Sequence, residues 1–382
     1  MKKTAPVRLH DLFIFDAHCD TACVLFDKPI SFTRSPAQLD LQKIKKGGLQ
    51  AQIFALWVDP LLAPHRAMKR ALQLLQTMEH KVFAPGYAVK VTTPAEMDAA
   101  RRKKKLAAWI FLEGGHIIEN SPEILDVFFS LGVRGMTLTH SKNTDWADST
   151  TDKPRARGLT ALGREIVRQM ARMGMAIDVS HASDRTIASV LETTAAPIMA
   201  SHSNARKLCR IPRNLTDEFI RAIAARKGFI GVNFCPAFVK RRVFDQIEEN
   251  FATFAREIRE RTKGRLDDPE FLSQVEWEYY LRAVAGTDRV TIDEVIDHIV
   301  HIAAVGGIDC VGLGSDFDGI PSTPAGLGNA AAYPRLVAAL QRRGFREKEI
   351  RKICGLNLAG FLALVKLASA GRKYAWRKPA GQ

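Results

Sequence analysis

Leu12-Phe13-Ile14-Phe15-Asp16-Ala17-His18-Cys19-Asp20 opens on four apolar residues and ends on an imidazole and a carboxylate two positions apart. In an extended chain, residues i and i+2 face the same way, so His18 and Asp20 share one face. The same grammar recurs along the chain. Apolar runs of strand length span 12–16, 50–58, 107–112, 135–139, 175–180, 197–201, 229–234 and 310–314. Their apolar character is continuous rather than alternating, which suits parallel strands covered on both faces.

Helix-like segments separate these runs. In 162–173 the apolar residues Leu162, Ile166, Val167, Met170 and Met173 fall at helical spacing, and Gly174 supplies a stop. The stretches 292–304 and 347–368 read the same way. Eight strand–helix units in one chain predict an α/β fold, a (β/α)8 TIM-like barrel. Two open-sheet domains are the alternative, but no Gly/Ser/Pro-rich linker divides the chain. The whole of 1–382 therefore reads as one metallohydrolase-type barrel domain. A charged, helix-prone stretch at about 238–288 breaks the rhythm and reads as a helical insertion between strands 7 and 8. It reads equally as an overhang of the catalytic face, serving as a lid or a homo-oligomer contact, and as a solvated helix hairpin packed on the outside.

The polar residues that close the strands carry the chemistry. Glu113 follows the third run, His140 the fourth, His181 the fifth, His202 the sixth and Asp316 the eighth. A lone histidine in such a place is more often structural than a ligand. Seven such residues, counting His18 and Asp20, exceed structural need. In a barrel all these ends meet on one face, where active sites lie. Imidazole and carboxylate without thiolate suit zinc or a similar divalent ion at a catalytic site. The number of groups points to two ions, although spacing does not assign ligands to either.

Bulk properties exclude other classes. The chain has 382 residues, 46% hydrophobic, with a net charge of +15 and a pI near 9.7. Such a charge can signal nucleic acid, but the basic residues are dispersed. The densest run, Arg101-Arg102-Lys103-Lys104-Lys105, reads as a solvated loop before a buried strand. No nucleic-acid partner and no membrane partner are expected. No apolar stretch of eighteen residues stands out, and the basic start Met1-Lys2-Lys3-Thr4-Ala5-Pro6 precedes too short an apolar run for a signal peptide. The six cysteines form no C-x-x-C pair, which suits a reducing, cytoplasmic setting.

The ordered segments resemble the membrane (renal) dipeptidase family in its soluble bacterial form. They are Asp16-Ala17-His18-Cys19-Asp20, Glu113-Gly114-Gly115-His116, 138–144 with Trp146-Ala147-Asp148, Asp178-Val179-Ser180-His181, 201–205, Pro212-Arg213-Asn214-Leu215 and 314–319, with Gly355-Leu356-Asn357-Leu358 as a closing motif. The resemblance implies two zinc ions per chain and a free dipeptide as substrate, cleaved by a metal-bridging hydroxide. His18 and Asp20 would bind one zinc, His181 and His202 the other, and Glu113 would bridge them. His140 would stabilise the oxyanion, Arg213 would hold the substrate's C-terminal carboxylate, and Asp316 would carry the proton. Only the resemblance separates Asp316 from Asp318, since both would point inward in an extended run. With His18 and Asp20 pointing in, alternation along the strand points Cys19 away from the metals. Asp16 and His116 are expected to support ligands, and Asp148 and Asn143 to shape the loop carrying His140. His298 and His301, three apart before strand 8, are expected to pack structurally. The alternative function is another binuclear hydrolase of the amidohydrolase superfamily, acting on a cyclic amide or lactam. Those enzymes commonly use a carboxylated lysine, and no lysine closes the fourth run here.

Overall fold

The computed structural model describes residues 11–369. The basic start 1–6 and His10 lie outside the described residues. Among the described residues there are nine strands: β1 Ile14–Cys19, β2 Leu49–Trp57, β3 Ala88–Lys90, β4 Leu106–Glu113, β5 Val133–Thr137, β6 Ala176–Asp178, β7 Met199–Ala200, β8 Phe229–Val232 and β9 Val311–Leu313. All pair in parallel, and β9 returns to β1 through Asp16↔Leu313. The ring β1-β2-β4-β5-β6-β7-β8-β9 is therefore a closed eight-stranded barrel, as expected.

β3 is the strand the sequence did not announce. It pairs with the first residues of β4, Leu106 to Ala108, while β5 pairs with Ile110 to Glu113 on the same edge. Its three residues form no apolar run, and Val89 is exposed. A strand with one wet face and so little length leaves no continuous hydrophobic signature.

Two apolar layers explain why the other runs are continuous. Phe15, Ala17, Ile53, Trp109, Phe111, Ala176, Met199 and Phe229 fill the barrel interior. Their neighbours Ile14, Phe54, Leu56, Ile110, Leu112 and Val232 pack outward under the helices. Helices Ala161–Met173 and Ile292–Gly306 form where the periodicity predicts, capped by Thr160 and by a Thr291–Glu294 capping box.

The run 347–369 meets the length and apolarity of a bilayer-crossing helix, contrary to the expectation that no stretch would. Here it is kinked at Gly355. Leu358, Phe361, Leu362 and Val365 of helix Asn357–Ser369 join the interior cluster, beside Phe229. Apolarity on this helix closes the amino end of the barrel.

Between β8 and helix Ile292–Gly306 stand four helices, Pro236–Val239, Arg241–Thr253, Ala255–Thr262 and Pro269–Val284. The last of them is tied to the loop after β2, where Ser273 Oγ donates to Asp59. The Arg66–Glu270 ion pair, at 3.7 Å, adds a second tie. Part of the insertion thus lies over the carboxyl face of the barrel, not along its side.

Candidate metal centre

The seven strand-end residues converge. His18 lies at the end of β1 and Asp20 just beyond it. Glu113 is the last residue of β4, and His140, His181, His202 and Asp316 follow β5, β6, β7 and β9 within three residues. Glu113 sits at the middle. His18 Nε2 is 3.3 Å from its Oε2, while His181, His202 and His140 Nε2 lie 3.3, 3.5 and 3.8 Å from its Oε1. His18 Nε2 also lies 3.4 Å from Asp20 and 3.9 Å from Asp316. The groups that could share an ion are His18–Glu113–His202, Glu113–His140–His181 and His18–Asp20–Asp316.

This donor set fits divalent cations. His18 Nε2 and Asp20 Oδ1 are buried with no hydrogen-bond partner, a cost of a few kcal/mol each if nothing else engages them. The Nε2 atoms of His181 and His202 are 2.8 Å apart, so a proton or a cation must lie between their lone pairs. Burial, reinforced by Glu113, raises Asp20 to about 6. Burial, opposed by His18, raises Asp316 to about 7. Burial works against charge on His18, but Glu113 and Asp20 outweigh it and hold its pKa well above the usual value. Burial and then Arg213 press His140 down to about 3 and His181 well below the ordinary value. Burial and then His18 do the same to His202. Three neutral imidazoles, His140, His181 and His202, around crowded carboxylates suit a cation site.

Arg213 lies on the loop between β7 and helix Asp217–Ala225. The Ala205–Leu215 pairing pins that loop, and Asn214 anchors it by donating to Cys209 and Phe238 carbonyls, both at 2.9 Å. Its guanidinium is buried. Nη1 donates to Ser203 Oγ at 2.7 Å, Nη2 donates to the His202 carbonyl at 2.9 Å, and Nε has no partner.

The 314–319 run is not extended, which corrects the expectation that both its carboxylates face inward. Asp316 and Asp318 adopt left-handed φ values of 62° and 70°. Asp316 faces His18 and accepts from Asn233 Nδ2 at 2.9 Å. Asp318 instead accepts from Thr21 Oγ1 at 2.7 Å and Gln38 N–H at 2.6 Å, so it ties loops together. Gly319 is pressed against the cluster. A Cβ there would stand 2.1 Å from Asp20 Oδ2 and 2.6 Å from Asp316 Oδ1.

The supporting residues fall as follows. Asp16 accepts from His18 N–H at 3.0 Å, Ser315 N–H at 3.1 Å and the Tyr333 hydroxyl. His116 bonds the Val58 carbonyl at 2.9 Å rather than any residue of the cluster, contrary to the expected support. Asp148 gathers the N–H groups of Arg155, Ala156 and Gly158, and Asn143 accepts from Ser149. Ser149 in turn donates to the His140 carbonyl. His298 is buried between Ala205 N–H (3.1 Å) and the Val239 carbonyl (3.0 Å), and His301 bonds Asp217 at 2.7 Å. Asn233 escaped the sequence reading, with its place after the end of β8 as its only signal, and Ser203 stood in the 201–205 segment without a role of its own.

A family model for membrane dipeptidase (peptidase family M19) matches residues 3–373. The chain is 29% identical over 346 residues to the dipeptidase tcpJ of Claviceps purpurea, covering 88% of this chain and 71% of that protein. It is 30% identical over 334 residues to a dipeptidase of Schizosaccharomyces pombe, covering 84% and 70%. Among solved structures, the probable dipeptidase PvdM of Pseudomonas aeruginosa superposes with a TM-score of 0.79 at 24% identity, covering 94% of this chain and 97% of the other. A metallopeptidase of Rhodobacter sphaeroides, bound to a phosphinate mimic of L-Ala-D-Ala, gives 0.74 at 25% identity, covering 93% and 99%. With the closed barrel and its carboxyl-face cluster, these matches place the chain in the membrane dipeptidase family, whose members are metal-dependent hydrolases of the peptide bond in dipeptides.

Proposed function

We propose that the protein is a zinc-dependent dipeptidase with two ions per chain, His18 and Asp20 serving one, His181 and His202 the other, and Glu113 both. Zinc held there would supply a nucleophilic water at neutral pH and a Lewis acid for the scissile carbonyl. The side chains do the rest. His140, neutral and 3.8 Å from Glu113, donates to the developing oxyanion. Asp316, poised near neutrality by burial, accepts the water's proton and delivers it to the leaving amine.

The observation that carries the dipeptide reading is Arg213. It is a buried cation beside the cluster whose Nε has no partner, and burying such a group is costly unless an anion meets it. The free carboxylate of a dipeptide is that anion, in a fork geometry that guanidinium suits. The relative solved with an L-Ala-D-Ala mimic makes L-D as well as L-L dipeptides reasonable members of a test panel. Six buried free thiols support a cytoplasmic setting. The run 101–105 lies at the amino end of β4, away from the cluster, which supports the absence of a nucleic-acid partner. The test is turnover of a dipeptide panel before and after chelation. We expect hydrolysis that is lost with the metal and restored by zinc, and turnover that survives complete metal removal would refute the reading.

A further inference from the structure

Asp178 ends β6 and is buried. Its Oδ1 accepts the backbone N–H groups of Ser180 and Ser201, both at 3.0 Å. Its Oδ2 accepts the Thr137 hydroxyl at 2.9 Å and the Ser201 hydroxyl at 2.5 Å. A carboxylate can only accept, so the single proton of Ser201 Oγ is committed to Asp178. The same Oγ lies 2.7 Å from His202 Nδ1. With its proton spent, Ser201 can only accept there, and the imidazole proton must sit on Nδ1. Nε2 is then left with its lone pair, facing Glu113 at 3.5 Å.

Ser201 has little freedom to escape this role. A Cβ at either Gly231 or Gly314 would stand 2.0 Å from its carbonyl oxygen, so two glycines let the neighbouring strands close on it. The polarity also extends outward. Arg213 Nη1 donates to Ser203 Oγ, which donates to Ser180 Oγ at 3.4 Å. Ser180 Oγ lies 3.4 Å from Ser201 Oγ and accepts His202 N–H at 3.1 Å. One direction of donation runs from the guanidinium to the carboxylate.

We infer that Asp178 and Ser201 are positioning residues that hold His202 as its Nδ1–H tautomer, so that Nε2 is the metal-binding nitrogen. The inference rests on His202 being a metal ligand, as proposed above. Orienting partners of this kind typically change metal affinity by roughly ten- to a hundredfold when removed.

Asp178→Asn makes the sharp test. The two backbone donors keep the amide oxygen at the Oδ1 place, so the NH2 group falls at Oδ2 and donates to Ser201. The Ser201 proton then turns to His202 Nδ1, and the imidazole proton moves to Nε2. Nitrogen-15 NMR of histidine-labelled, metal-free protein reads this directly, with His202 identified by the signal lost in His202→Gln. We expect Nδ1–H in the natural protein and Nε2–H in Asp178→Asn. Zinc titration should show one of two sites weakened by roughly ten- to a hundredfold in Asp178→Asn and Ser201→Ala, with Ser201→Thr closer to the natural protein. An Nε2–H signal for His202 in the natural protein overturns the inference, as does unchanged zinc affinity in folded Asp178→Asn and Ser201→Ala. If neither variant folds, the spectrum of the natural protein alone decides. The tautomer is read without metal or substrate. A protein that cleaves dipeptides with His202 in the other tautomer would therefore refute this relay alone.

Discussion

Arg213 donates through Nη2 to the carbonyl of His202 at 2.9 Å, so the candidate carboxylate anchor and a candidate zinc ligand hang on one short backbone segment. Arg213→Met should therefore raise KM for free dipeptides by tenfold or more, and far less for C-terminally amidated ones. Steady-state kinetics on matched pairs checks this. Equal losses on both substrates would mean that the guanidinium braces the His202 segment and holds no carboxylate.

Asp316 and Asp318 should separate cleanly. Asp316→Asn removes the proton carrier, and kcat should fall at least a hundredfold with zinc content unchanged. Asp318→Asn disturbs the Thr21 and Gln38 bonds, which should cost about 1.5–3 kcal/mol of stability. Metal analysis, turnover and thermal unfolding on both variants test the division. The reverse pattern would assign the two roles to the wrong carboxylates.

Gly319→Ala places a methyl group within 2.6 Å of both Asp20 and Asp316. Real side chains do not tolerate that approach, so the carboxylates must shift. We expect kcat/KM to drop more than tenfold, since small misplacements of reacting groups are costly. Gly360→Ala is the control: it meets open space on helix Asn357–Ser369 and should leave turnover unchanged.

His298 supplies a pH prediction away from the cluster. Burial, partly offset by its bond to the Val239 carbonyl, lowers its pKa from 6.5 to about 4. Between these values the unfolded chain binds the extra proton and the folded chain does not. Stability is therefore complete above pH 6.5 and declines as pH falls toward 4, by roughly 3 kcal/mol from this residue. Denaturant unfolding of metal-free protein across that range, compared with His298→Gln, isolates the contribution. A slope equal in the two proteins would count against it.

Much of this was legible in the residues. Runs such as 107–112 are apolar throughout because Trp109 and Phe111 face the barrel interior while Ile110 and Leu112 face the helices. The polar residue that ends each run marks where the chain leaves the core, so His18, Glu113 and His202 could be placed on one face before any coordinates. β3 was not legible, because Val89 is exposed and no run forms. The Asp316–Asp318 distinction was hidden too, since two left-handed residues turn the segment and period-two reasoning fails there. The bonds of His116 and the insertion's tie to Asp59 depend on long-range packing, which local pattern does not encode.

The helix that seals the base of the barrel has a consequence in time. Phe15 is made among the first residues of the described chain and Phe361 among the last, yet both belong to one apolar filling. During synthesis the inner wall of the barrel stays open to water until residues 357–369 have been made. A nascent chain carrying every strand and every residue of the candidate metal centre still lacks the segment that covers Phe15 and Phe229 from below. The exposed filling of that intermediate is the surface on which aggregation or a chaperone would act.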